Sequence, residues 1–219
     1  MKPDADGFDC GDWSAARACL GPDGRLSVVM PAYNLGETIA ANIRRVHAAF
    51  EGHLPFELVP VDDGSADGTA AALRAVAAEF PNVRPVFLPA NAGKGAALRA
   101  AAARASGSHI LLLDADLDLP PEPVAEFFAV LLRERADIVI GSKMHPRSEI
   151  DYPWQRQLAS RIYYGVVKLL MGLPVHDTQT GMKLFRAEAL RHAFDRMLAK
   201  RFAFDLEVLA IAHRAGFRI

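Results

Sequence analysis

Cysteine is scarce in this chain: 219 residues contain only Cys10 and Cys19, both near the N-terminus. Two thiols make neither a disulfide framework nor a structural zinc site without histidines at close spacing, so free thiols in a reducing cytoplasm are expected. The seven histidines show no paired metal spacing, and no Ser or Cys sits in a nucleophile-elbow pattern. No basic-then-apolar segment of signal-peptide type opens the sequence, and no run approaches the roughly 18 apolar residues of a membrane-spanning helix. Neither sign of charge is in excess, with 25 Lys and Arg against 26 Asp and Glu. No global field therefore draws the chain to nucleic acid or to an anionic surface, and any anion site has to be local. What is present is ordinary globular composition, 51% apolar and 23% charged. At this length folding buries roughly 70% of the unfolded surface. One core then needs no metal or disulfide, and stability does not account for the unusual residues.

Residues 1–24 hold Asp4, Asp6, Asp9, Asp12 and Asp23 with little apolar periodicity, and are expected to be a mobile leader or a partly ordered arm. A single domain is expected over 25–219. In it short apolar runs (Leu26–Met30, Phe56–Val61, Val83–Leu88, Ile110–Leu113 and Ile138–Ile140) alternate with alanine-rich helical patterns such as Ala70–Phe80 and Ala96–Ser106. That alternation predicts βαβ units: an α/β fold with a mostly parallel sheet and helices on both faces. Ligands in such sheets bind at the carboxyl ends of the strands, so the loops after each apolar run carry the candidate site. The chain is expected to stop at Ile219 inside a strand, short of the end of this domain.

The first loop is Pro31-Ala32-Tyr33-Asn34 with Glu37 close behind, and the second is Asp62-Asp63-Gly64-Ser65. Each suits turn and helix-cap chemistry as well as it suits a ribose hydroxyl, a base N–H or a cation. The third, Asn91-Ala92-Gly93-Lys94-Gly95, fits neither the Walker nor the dinucleotide glycine spacing. It reads as a glycine-bounded helix N-terminus with one lysine, a neighbour for an anion or a nucleotide.

The fourth loop is the strongest signal, since Ile110–Leu113 runs directly into Asp114-Ala115-Asp116-Leu117-Asp118. In an extended chain alternate residues share a face, which predicts three carboxylates converging on one side. Clustered like charges call for a cation, and hard oxygens suit Mg2+ or Mn2+ shared with a diphosphate. An EF-hand loop is excluded, because Leu119 stands where its glycine is required and Ala125 where its bidentate Glu is required. Further on come Ser142, Lys143, Arg147, Arg156 and Arg161, then a helical stripe over 154–171 that suits core packing or a membrane headgroup boundary equally. Asp177-Thr178-Gln179-Thr180 follows, leading into a strand-like segment, and Asp205 and Glu207 open the last helix, where the macrodipole favours acids.

In order and spacing, Pro-Ala-Tyr-Asn at 31–34, Asp-Asp-Gly-Ser at 62–65, Asn-x-Gly-Lys-Gly at 91–95, Asp-Ala-Asp at 114–116, Gly-Ser-Lys at 141–143 and Asp-Thr-Gln-Thr-Gly-Met-Lys at 177–183 resemble the family 2 glycosyltransferases. The likeness covers 25–219 and is nearest to the polyprenyl-phosphate (dolichyl-phosphate) mannose and glucose synthases, the Asp177–Phe185 segment resembling the glucosyl branch. It implies a GT-A fold, a nucleotide-sugar donor such as UDP-glucose or GDP-mannose, a divalent metal, inversion at the anomeric carbon and a polyprenyl-phosphate acceptor. By motif, Pro31, Ala32, Tyr33, Glu37, Asp62, Asp63, Lys94, Asp114 and Ala115 would line the nucleotide, and Asp114 and Asp116 would hold the metal. Asp118 departs from the mannose synthases, which place Gln there, so its role stays open. Lys143 and Arg156, with Arg161 as a further candidate, would orient the acceptor phosphate. For a saccharide acceptor, Asp177, Asp205 or Glu207 would serve as base. The resemblance places the protein in the cytoplasm, at the cytoplasmic face of a membrane, with no nucleic-acid partner. Two other classes remain on the residues: a nucleotidyltransferase, which wants a glycine-rich basic loop where Pro31–Asn34 stands, and a non-catalytic nucleotide-sugar-binding module.

Overall fold

Strands that are apolar on both faces need helices on both sides, and the packing obeys that requirement. The computed structural model describes residues 11–141, 180–201 and 203–219. Among them lie strands β1 (Leu26–Ala32), β2 (Phe56–Asp62), β3 (Val86–Phe87), β4 (His109–Leu113), β5 (Ile138–Ile140) and β6 (Met182–Arg186). The helices are α1 (Ser14–Leu20), α2 (Ile39–Phe50), α3 (Thr69–Glu79), α4 (Lys94–Ala102), α5 (Val124–Arg133), α6 (Ala187–Arg196) and α7 (Phe204–Arg214). The six-stranded sheet has the order β3-β2-β1-β4-β6-β5. β1 pairs in parallel with β2 and β4, β2 in parallel with β3, and β6 runs antiparallel between β4 and β5. The mostly parallel α/β sheet expected from the sequence is thus present.

Alternation along each strand sorts the core into two halves. Val28, Met30, Leu58, Leu111, Leu113 and Leu184 point to one face, under α1, α2, α3 and α5. Val29, Val59, Val61, Ile110, Leu112 and Phe185 point to the other, under α4, α6 and α7. In α2 the fully buried Ile39, Ile43, Val46 and Phe50 recur at three- and four-residue intervals, which is the apolar stripe that docks the helix. Truncating one such residue, Phe128 of α5 for example, would cost about 3–5 kcal/mol.

Three details differ from the sequence reading. The expected N-terminal arm contains α1, and Trp13 just ahead of it joins the core with Ala16 and Leu20, standing edge-on to Phe50 and stacked on His53. Three apolar side chains at three- and four-residue spacing outweigh the surrounding Asp and Gly. The third run, Val83–Leu88, is a regular strand only at Val86–Phe87, with one isolated bridge from Val83 to Leu58. Pro85 lacks the N–H that a continuous ladder would need there. At the C-terminus Phe217–Ile219 is not a strand, although the Arg218 carbonyl accepts the N–H groups of Asp137 and Ile138 beside β5. The expected helical stripe over 154–171 and the loop residues Lys143, Arg147, Arg156, Arg161 and Asp177 lie outside the described residues, as does Cys10.

At the N-terminal end of the strands the polar groups close on one another. Glu57 is 1% exposed. Its Oε1 accepts the Ser27 hydroxyl at 2.7 Å and both the N–H and the hydroxyl of Ser106 at 2.6 and 3.0 Å, while Arg84 meets Oε2 at 2.9 Å. Burial alone would push this carboxyl up, but those hydrogen bonds outweigh it and hold Glu57 below the usual carboxylate range. At the start of β4 His109 is also buried, with its Nδ1 3.2 Å from the Ser108 hydroxyl and its Nε2 without a hydrogen-bond partner among the described residues. Burial, helped by the charge of Arg186, lowers its pKa from 6.5 to about 4, so the ring is neutral at pH 7.

Candidate functional site

At the opposite, C-terminal end of the strands the chain leaves a cavity of about 540 Å3. Its wall is built from the loops after β1, β2, β3 and β4, where an open parallel sheet binds ligands. Pro31, Ala32 and Tyr33 come from the first, Asp63 from the second, Asn91, Gly93 and Lys94 from the third, and Asp114, Ala115 and Asp116 from the fourth. Seven of the nine residues expected to line a nucleotide therefore meet at one cavity.

The loops are locked to one another before any ligand arrives. Asn34, in the left-handed region at φ 53°, accepts the Ala66 N–H on its side chain and donates its own N–H to Ser65. Asp67 accepts the N–H groups of Gly36 and Thr69 together with the Thr69 hydroxyl, and those bonds keep its carboxyl low. Gly64 sits at φ 69°, and a Cβ there would lie 2.4 Å from Ala90, so this turn tolerates no side chain.

Asp63 and Asp62, adjacent in sequence, do different things. Asp63 is 4% exposed and accepts the N–H groups of Ala92 and Gly93 at 2.7 and 2.9 Å, bracing the third loop while still facing the cavity. A carboxylate has about four acceptor sites, so this bracing leaves capacity for a ligand N–H. Asp62 ends β2, its Oδ1 accepts the Ser65 N–H, and it is not in the cavity wall. Glu37 is exposed in the turn before α2 and does not line the wall either.

The Gly93 φ is 95°, and a Cβ on it would come 2.6 Å from the Lys200 carbonyl oxygen. The glycine lets the strip Ala199–Arg201 lie against the start of α4, where the Lys200 carbonyl accepts the Ala96 N–H at 3.2 Å. That strip brings Arg201 into the cavity wall. Sequence reading missed Arg201, and the Lys200-Arg201 pair ahead of α7 is the only local signal for it. The Lys94 ammonium lies 2.6 Å from Asp114 Oδ1 and 6.0 Å above the Phe204 ring.

The acid run is where expectation and structure part. β4 ends at Leu113, and 115–116 turn back with Leu117 in the left-handed region at φ 55°. Alternation therefore does not carry through the run, and among the described residues no group of three His, Cys, Asp or Glu side chains gathers as a metal cage. The expected convergence of Asp114, Asp116 and Asp118 is corrected accordingly: the first two line the cavity, and Asp118 lies outside it with its N–H 3.3 Å from Asp116 Oδ1. A leucine at positive φ costs on the order of 1–3 kcal/mol, a strain that clusters at functional loops. Two clamps hold the turn, since Asn42 of α2 donates to the Ala115 carbonyl at 2.8 Å and the Asp114 N–H bonds the Gly181 carbonyl at 2.9 Å.

These carboxylates fit a divalent metal shared with a ligand. Mg2+ typically takes one or two protein carboxylates and completes its shell with substrate phosphates and water, and Asp114 with Asp116 supplies that number. Lys94 and Arg201 on the same wall suit a diphosphate.

The acids of α7 are committed elsewhere. Asp205 pairs with the buried Lys183 at 2.5 Å, and Lys183 also donates to the Thr180 carbonyl at 2.6 Å. Burial pushes the Asp205 carboxyl above its ordinary range against the pull of Lys183 and Lys94, and the negative charge of Asp114 adds to the rise. Both oxygens of Glu207 accept backbone N–H groups, from Leu198 at 3.0 Å and Ala199 at 2.7 Å.

Comparison with known proteins agrees with this geometry. The model of the family described as "Glycosyl transferase family 2" matches residues 27–194. Glycosyltransferase AglD of Haloferax volcanii is 32% identical over 197 residues, which are 89% of this chain and 32% of that protein. Dolichyl-phosphate beta-glucosyltransferase ALG5A of Trichomonas vaginalis is 32% identical over 207 residues, 89% of this chain and 63% of that one. The chain thus spans less than two thirds of either relative. In fold it matches glucosyl-3-phosphoglycerate synthase of Mycobacterium tuberculosis, solved with Mn2+, UDP and glucosyl-3-phosphoglycerate, at a TM-score of 0.68 and 24% identity over 95% of this chain and 70% of that one.

Proposed function

Because the chain belongs to glycosyl transferase family 2, we propose that it moves a hexose from a nucleotide sugar to a polyprenyl phosphate, with inversion at the anomeric carbon. The observation that carries this reading is the single cavity that gathers Tyr33, Asp63, Lys94, Asp114, Asp116 and Arg201 at the strand ends. Its support for a lipid acceptor is the likeness to a dolichyl-phosphate glucosyltransferase.

The Pro31–Tyr33 and Asp63 side takes the nucleoside, with Tyr33, 49% exposed, offering a ring face at the mouth. The other side takes the diphosphate on Lys94 and Arg201. Asp114 and Asp116 would hold Mg2+ or Mn2+, which when bound supplies positive charge to the departing nucleotide diphosphate. The acceptor oxygen forms its bond to the anomeric carbon as the bond from that carbon to the β-phosphate oxygen breaks, and the electron pair leaves with the nucleotide. Lys94 and Arg201 stabilise the charge that develops there.

A monophosphate has a second pKa near 6 and is largely ionised at neutral pH, so this acceptor needs no general base. That agrees with the commitments of Asp205 and Glu207, neither of which lines the cavity. Lys143 and Arg156, with Arg161 as a further candidate, take the acceptor phosphate in this reading, and Asp177 would serve as base only for a saccharide acceptor. The protein then works at the cytoplasmic face of a membrane, where its acceptor lies. Among the described residues no helix is long and apolar enough to cross one.

The test is transfer of radiolabelled sugar from UDP-glucose or GDP-mannose to a detergent-solubilised polyprenyl phosphate, with Mg2+, with Mn2+ and with chelator. Metal-dependent formation of the lipid-linked sugar from one donor supports the proposal and names that donor. Labelled product on a saccharide but not on the lipid, or nucleotide binding without turnover, overturns it. In the active protein, Lys143→Ala or Arg156→Ala is expected to raise the acceptor KM and leave nucleotide affinity unchanged.

A further inference from the structure

A second groove, of about 560 Å3, runs between α4 and α6 on the far side of the strip that closes the donor cavity. Its floor is apolar, made by Leu88, Phe194, Met197 and the alanines of α4. Arg99, Arg191 and Lys200 also line it, against Asp195 as the one acid among the described residues. Arg99 donates to the Met197 carbonyl at 3.4 Å and Arg191 to the Ala105 carbonyl at 3.1 Å. Those partners are neutral and bring no negative charge to either guanidinium. At the lip stands Leu198, 85% exposed, the most exposed large apolar side chain among the described residues. It is not at a fraying end: the Glu207 carboxylate grips the N–H groups of Leu198 and Ala199, so the tip is presented on a pinned turn.

We propose that this face docks the protein on an anionic lipid bilayer, Leu198 entering the acyl boundary while Arg99, Arg191 and Lys200 engage lipid phosphates. An apolar tip set among basic side chains suits the boundary between anionic headgroups and acyl chains. The strip Ala199–Arg201 gives Lys200 to this groove and Arg201 to the donor cavity. A bilayer on this face therefore lies one strip of chain away from the diphosphate side of the donor cavity. The link to catalysis rests on the proposed lipid acceptor, whereas the docking surface stands on its own geometry.

The full chain is mixed with phosphatidylglycerol–phosphatidylcholine vesicles and with phosphatidylcholine vesicles, free of acceptor, and partition is read by sedimentation at rising salt. Binding to the anionic vesicles that weakens with salt is expected. The Leu198→Asp variant, and separately the double variant Arg191→Glu with Lys200→Glu, should lose about tenfold or more, each basic residue near such a surface being worth about fivefold. Nucleotide affinity by calorimetry should be unchanged in both, which excludes misfolding. Independently, a Leu198→Trp variant should show fluorescence above the wild-type background that shifts to the blue and is quenched by acyl-brominated lipid.

Equal partition of wild type and variants, no partition of the wild type, or fluorescence at the substituted position that ignores the brominated lipid each overturns the proposal. A dimer in the lipid-free protein that Leu198→Asp dissociates also overturns it, assigning the face to a second copy. Transfer to detergent-solubilised acceptor without vesicle binding removes the docking surface and keeps the function, and vesicle binding without transfer does the reverse.

Discussion

At the N-terminal end of the sheet Glu57 has its charge met wholly from within, by two serines, a backbone N–H and Arg84. At the C-terminal end Asp114 pairs, among the described residues, with one lysine, and Asp116 is exposed with a long contact to the Asp118 N–H. The same functional group is a closed joint at one end and an open valence at the other. A buried carboxylate that finishes its hydrogen bonds inside the protein costs little to keep and offers nothing to a ligand. One left short of partners in a cavity is held for something that arrives. Asp63 combines the two conditions, bracing the third loop with both oxygens while facing the cavity.

Breaking the open end is expected to have the largest effect on chemistry. Asp116→Ala should lower kcat/KM for transfer by roughly 10²–10³-fold, since it removes one of the two carboxylates that would hold the metal whose charge offsets the leaving diphosphate. Calorimetry should show metal-dependent nucleotide binding lost with the fold intact, and retained metal-dependent binding would mean that the two ends do not differ as described.

The closed end should break in the opposite way. Glu57→Ala leaves the Ser106 N–H and two hydroxyls without their acceptor and is expected to cost about 3 kcal/mol of stability by denaturant titration. Nucleotide affinity of the protein that remains folded should not change.

His109 sharpens the comparison through pH. Its pKa is about 4 folded against 6.5 in the unfolded chain, so the unfolded state takes the proton first. The stability of the neutral ring is complete above pH 6.5 and is lost as the pH falls towards 4, by on the order of 3 kcal/mol. Unfolding free energies measured between pH 7 and 4.5 should fall more steeply in the wild type than in His109→Leu.

The smallest effect belongs to a residue that touches no ligand. Asn42→Ala frees the Ala115 carbonyl and is expected to weaken metal-dependent nucleotide binding five- to tenfold, about 1 kcal/mol, with stability nearly unchanged. A wild-type affinity in that variant would show that the Gly181 contact alone fixes the turn.

Much of this architecture was legible in the residues. The runs at 26–30, 56–61 and 110–113 are strands because they are apolar on both faces, and the loops after them form the cavity because parallel strands deliver their C-terminal ends to one edge. Legibility failed where a local rule met a distant contact. Trp13, Ala16 and Leu20 were hidden among aspartates and glycines until α5 and α2 gave them a surface to cover. Asp114, Asp116 and Asp118 were expected to share a face, but the strand stops one residue before the run, and a left-handed leucine turns the third acid away.

By itself the sequence determined the alternation of strands and helices from Leu26 onward, the two-sided core and the identity of the acids and the lysine at the strand ends. Those follow from the periodicity of apolar residues and from turn chemistry, which act over a few positions at a time. Only the tertiary structure decided that Asp63 and not Asp62 faces the cavity, that Asp205 and Glu207 are committed to Lys183 and to backbone amides, and that Arg201 joins Lys94. Each of those outcomes depends on where a strand ends and which remote segment packs against it, and burial and hydrogen bonding across the fold set both.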